Sequence, residues 1–88
     1  MITLDLLNET FQDLVDKYQL TLDIKSKMRF NIYSIDDLPA EIKVDINMKM
    51  MSICEGLGRK RFDIDHPLMI RKGDKDIIKG GIWSIRIF

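Results

Sequence analysis

An α+β fold, with two helices packed on an antiparallel β-sheet in the order α-β-β-α-β-β-β, is predicted by three features of the sequence. Apolar residues recur every three or four positions near the N-terminus and again from Ile42 to Leu57, the period of a helix with one buried face. Between and after these stretches they alternate with polar residues, the period of a half-buried strand. The chain has 88 residues, 45% of them hydrophobic and 32% charged. That is enough for one domain, residues 1–88, with a single thin core, and too little for a paired Rossmann unit or an eight-stranded α/β barrel.

The first helix is expected from Thr3 to about Gln19. Leu4, Leu7, Phe11, Leu14 and Tyr18 form one stripe. Thr3 caps the free amides, Asp5 lies in the first turn and Lys17 in the last, both favourable to the helix dipole. Ile2 and Leu7 occupy the positions of a hydrophobic staple. From Leu20 to Tyr33 the period shortens to two, and the polar Lys25-Ser26-Lys27 suggests a hairpin turn inside it.

The stretch from Asp36 to Gly58 carries two patterns. Ile42, Val44, Ile46, Met48 and Met50 alternate strictly, as in a strand, whereas Ile42, Ile46, Met50, Ile53 and Leu57 share one face of a helix. The helix is preferred on three grounds. Asp36 to Glu41 holds acids and a proline in the manner of a helix start, Gly56 and Gly58 form a natural stop, and the apolar set is long for a strand. A second apolar stripe, Val44, Met48 and Met51, then lies on the back of this helix and needs a cover.

After Arg59 the chain is read as β structure. Phe62 and Ile64 begin a strand that Pro67 interrupts or confines to an edge. Leu68 to Ile70 resumes it, Lys72-Gly73-Asp74 turns, Gly80-Gly81 breaks, and Ile82 to Phe88 closes with Trp83, Ile85 and Ile87 on one face.

Composition narrows the chemistry. Cys54 is the only cysteine, which excludes an internal disulfide or a multi-cysteine zinc site and suits a reducing, cytoplasmic setting. No apolar run is long enough to span a bilayer, the N-terminus lacks a basic secretory start, and no membrane association is expected. Fourteen basic residues balance fourteen acidic ones, but unevenly: Met1 to Ile24 holds five acids and one base, Arg59 to Phe88 eight bases and four acids.

Catalytic constellations are thin. Nothing in the spacing brings Cys54 to His66, the only imidazole, and a lone cysteine on an apolar helix end ordinarily acts as a small hydrophobe. Asp63, Asp65 and His66, with Asp74 and Asp76 beyond, have no metal-loop spacing. Asp36 or Asp37 followed by Glu41-Ile42-Lys43 is an acid–Glu-x-Lys pattern too common to carry weight. A non-enzyme without cofactor or metal is expected.

Two groups of residues suggest binding. Asp5, Glu9, Asp13 and Asp16 form an acidic column on the first helix, and Met48 and Met51 lie on the exposed side of the second, where adaptable methionine suits a protein contact. The expected function is a non-catalytic module that occupies a partner protein's surface, as an inhibitor or adaptor. Phages and mobile elements often encode such small domains. The alternative is nucleic-acid or nucleotide phosphate binding by Gly56, Gly58, Arg59, Lys60 and Arg61, through glycine-permitted amides followed by bases. A homodimer is also expected, built on the final strand or the second helix, because both expose apolar side chains if left alone.

Overall fold

The computed structural model describes residues Met1–Phe88. Helix α1 runs Leu4–Tyr18, strands β1 Thr21–Ser26, β2 Arg29–Ser34 and β3 Leu38–Pro39 follow, and helix α2 spans Ile42–Leu57. Four strands close the chain: β4 Phe62–Asp65, β5 Met69–Lys72, β6 Lys75–Ile78 and β7 Gly81–Ile87. The fold is α+β, with the order α-β-β-β-α-β-β-β-β. All strand pairs are antiparallel, in a four-stranded sheet β1-β2-β7-β4 and a three-stranded sheet β3-β6-β5.

Helix α1 follows its local signals. Thr3 is extended and its hydroxyl accepts the Leu6 amide at 3.1 Å, while Leu7, Phe11 and Leu14 are buried. Gln19 ends the helix in the left-handed region at φ 53°, and the Leu20 amide returns to the Val15 carbonyl. The hairpin turn falls at Lys27-Met28 rather than Lys25-Ser26-Lys27, because a register shift between Ile24 and Ser26 lengthens β1. That shift leaves Met28 against the core, and its carbonyl accepts the Ile87 amide.

The register puts apolar residues of the larger sheet on one face. Ile24, Phe30, Ile85 and Ile64 lie across neighbouring strands, as do Leu22, Ile32 and Trp83. This face meets Leu7, Phe11 and Leu14 of α1 and Ile42, Ile46, Met50 and Ile53 of α2 in one core of 17 buried residues. Phe11 and Phe30 meet with ring centroids 5.8 Å apart at 57°, tying helix to sheet by a tilted aromatic contact. Each such large side chain contributes about 1.5–3 kcal/mol by leaving water.

Several expectations change. The segment from Asp36 to Glu41 does not start the helix: Leu38–Pro39 pairs with Ile77 and Ile78 of β6, and α2 begins at Ile42 without a side-chain cap. Leu38 is drawn into the core, and burying it on a sheet edge outweighs the helix-start pattern. Lys75–Ile78 is a further strand in which Ile78 is buried and its neighbour Ile77 half-buried on the opposite face, so its apolar residues are adjacent and display no alternation. The resumed strand is Met69–Lys72 rather than Leu68–Ile70, because its pairing with β6 centres on the Lys72-Gly73-Asp74 turn. Strand β4 does stand at the sheet edge, and Pro67 follows its end.

The final strand is central, between β2 and β4, with Ile87 only 3% exposed. It offers no free edge, so a homodimer built on that strand is ruled out by the internal pairing of both its sides. The other face of this sheet carries no layer: Thr21, Asp23, Arg29, Tyr33, Asp63, Asp65, Ile82 and Arg86 on it are exposed. Gly80 connects the two sheets, where any Cβ would run into the Ile35 carbonyl. No helix is long and apolar enough to cross a membrane.

Candidate functional sites

Two surfaces remain for function, the outer side of the helices and the open face of the sheet. On the helical side, the i, i+4 repeat of α1 places Asp5, Glu9, Asp13 and Asp16 along solvent. None of the four pairs with Arg59, Lys60 or Arg61. Asp16 accepts the Gln12 amide at 2.8 Å, and Asp13 accepts Lys49 of α2 at 3.0 Å. The Asp13 carboxyl is held below the usual aspartate range, chiefly by that lysine hydrogen bond.

Helix α2 divides its apolar residues as its period requires. Met50 faces the core, while Val44, Met48 and Met51 are 61%, 64% and 62% exposed. Between the helices runs an open groove of about 790 Å³, bordered by Leu6, Glu9, Asp13, Asp45, Met48 and Lys49. Glu9 and Asp13 of the acidic column and Met48 of α2 therefore meet at one groove.

The Gly56–Arg61 segment is arranged differently from a phosphate loop. Gly58 adopts φ 68° as the cap of α2, its amide bonds back to the Glu55 and Cys54 carbonyls, and the Arg59 amide bonds to the Cys54 carbonyl at 2.9 Å. The amides after the helix are committed to ending it. Arg59, Lys60 and Arg61 are exposed.

The other candidates disperse. Cys54 is buried in α2, which pushes its thiol pKa up, whereas the His66 ring lies against Trp83 with centroids 5.4 Å apart. Asp37 holds the junction of the two sheets, where its carboxylate accepts the Gly80 amide at 3.0 Å and lies 3.5 Å from Lys79. No three His, Cys, Asp or Glu side chains converge as a metal-binding group. The indole Nε1 of Trp83 is buried without a hydrogen-bond partner.

One cluster was not legible in the sequence. On the open face of the sheet, the guanidinium carbons of Arg61 and Arg86 lie 4.9 and 4.6 Å from the centre of the Phe88 ring. Arg29 stands directly opposite Arg86 in the β2–β7 pairing. Only strand alternation hinted at it, by putting Arg29 and Arg86 on polar faces of segments whose pairing the sequence leaves open.

Comparison with family models, curated proteins and solved structures finds no match. The fold and its two faces define the class: a small α+β domain, helices on one side of its main sheet and an open polar face on the other.

Proposed function

We propose that the protein is a non-catalytic binding module, an inhibitor or adaptor that engages a partner protein through the outer side of α1 and α2. The observation that carries this reading is the exposure of Val44, Met48 and Met51 on one side of α2, with Met48 bordering the interhelical groove that Glu9 and Asp13 of the acidic column also border. Large apolar side chains grouped on a surface and rimmed by charge mark contact sites, and methionine adapts its shape to the partner. The column selects a partner segment that is basic as well as apolar, because only Asp13 of its four carboxylates has a cationic neighbour.

The test is capture of partners from cells by the wild-type chain and by Met48→Glu/Met51→Glu and Asp5→Asn/Glu9→Gln variants. A partner lost with the first variant, and weakened by salt and by the second, supports the reading. Capture indifferent to both variants overturns it. Light scattering distinguishes a second copy of the chain as the occupant of the same helical face.

A further inference from the structure

The open face of the larger sheet has a built polarity. Pairing of β2, β7 and β4 aligns side chains into rows: Arg29, Arg86 and Asp63 in one, Asn31, Ser84 and Asp65 in the next, Tyr33 and Ile82 in a third. Arg61 joins the arginine end, since its carbonyl accepts the Phe88 amide at 3.0 Å and its guanidinium lies over the Phe88 ring. Two guanidiniums, of Arg61 and Arg86, therefore share one aromatic ring, and Arg29 stands across the strand pair from the second of them. Asp63, 4.0 Å from Arg86, is the single carboxylate within ion-pair distance of any of them. Placing Arg29 directly opposite Arg86 works against the fold, because like charges across a strand pair repel. An anion between them would remove that repulsion. A depression of about 380 Å³ lies there, bordered by Arg29, Arg86, Ser84, Asp63 and Asp65.

We infer that this face binds phosphate esters of the nucleotide type, with the phosphate held by Arg29, Arg86 and Arg61. Arginine suits this contact because its planar fork grips phosphate oxygens in pairs. The ring of Phe88 fixes two of the forks by cation–π contact and lowers the entropy lost when they close on a ligand. One row away, about 7 Å along the strands, Asn31 and Ser84 offer donors and acceptors to a base edge, flanked by the carboxylate of Asp65. The Asp65 carboxylate of that row repels phosphate, and with two arginines to one carboxylate in the Arg29–Arg86–Asp63 row the ligand is oriented with its phosphate at the arginine end. Exposed Tyr33, a row further on, supplies a stacking surface for a following base. The site replaces the Gly56–Arg61 loop as the anion-binding element and keeps Arg61 from it. It is independent of the helical surface assigned to a protein partner.

The phosphate arrives either on a free nucleotide or on a single strand, and binding measurements separate the two. Fluorescence anisotropy with a labelled oligonucleotide, competed by a nucleoside monophosphate and by an acidic poly-glutamate peptide, is the experiment. Competition by the monophosphate identifies a free nucleotide as ligand, and its failure to compete with a bound oligonucleotide identifies the strand. In either case Arg29→Gln/Arg86→Gln is expected to weaken binding more than about tenfold. With one phosphate gripped on a single strand, raising salt fourfold weakens binding roughly two- to threefold. Circular dichroism verifies that the variant is folded, and Arg61→Gln serves as a second, milder variant. Met48→Glu/Met51→Glu leaves the affinity unchanged. Absence of binding by both probes, binding indifferent to the arginine substitutions, or equal displacement by poly-glutamate overturns the inference.

Discussion

Lys49 of α2 reaches across to Asp13 of α1, with its ammonium 3.0 Å from the carboxylate and its side chain 29% exposed. This contact joins the two helices above the groove and takes one carboxylate out of the acidic column. Because the folded Asp13 pKa is lowered, its contribution is fully present above about pH 4 and is lost as pH falls through the lowered value. Asp13→Asn is expected to cost less than about 1 kcal/mol at neutral pH, since the pair is partly solvated. A double-mutant cycle with Lys49→Met, read by urea unfolding at pH 7 and again near pH 3, checks both size and sign. The coupling should fade in acid.

Gly80 is expected to tolerate no side chain. Its Cβ position coincides with the Ile35 carbonyl, and its amide already donates to Asp37. Gly80→Ala should destabilise by about 1–3 kcal/mol, because backbone on both sides must shift. Gly56→Ala, at a helical position with open space around it, is the control and should be neutral or stabilising. Denaturant unfolding of the two variants distinguishes the sites.

Charge introduced at Ile87 should unfold the protein rather than dissociate it. The residue lies in the central strand between β2 and β4, in the core. Ile87→Glu is expected to cost at least about 3 kcal/mol, through lost apolar burial and a carboxylate in an apolar site. Met48→Glu, on the exposed side of α2, should change stability by less than about 0.5 kcal/mol. Circular dichroism and light scattering on the two variants report fold and association separately.

Cys54 is expected to react slowly. It is buried in α2, and desolvation raises its pKa, so little thiolate is present near neutral pH. Native protein at pH 8 should label with a disulfide reagent far more slowly than protein unfolded in guanidinium. Equal rates would mean that the C-terminal turn of α2 opens readily.

The first helix, the inward face of the last strand and the two charged ends of the chain are legible in the sequence alone, whereas Ile42–Leu57 carries two periods and its expected start at Asp36–Glu41 holds a strand instead. Those signals are local. Thr3, the Leu7–Phe11–Leu14 stripe and Gly58 act through neighbours three or four residues away on one helix, and Trp83, Ile85 and Ile87 through simple alternation. Tertiary structure alone decided which strands are neighbours. Pairing Arg29–Ser34 with Gly81–Ile87 joins segments about fifty residues apart, β3 has only two residues, and the adjacent Ile77 and Ile78 of β6 show no alternation. The central place of β7, the role of Asp37 beside Gly80, the meeting of Arg61 and Arg86 over Phe88 and the place of Arg29 opposite Arg86 all depend on that pairing. A strand's hydrogen bonds are satisfied only by a partner elsewhere in the chain, so its place in the sheet is a property of the whole fold.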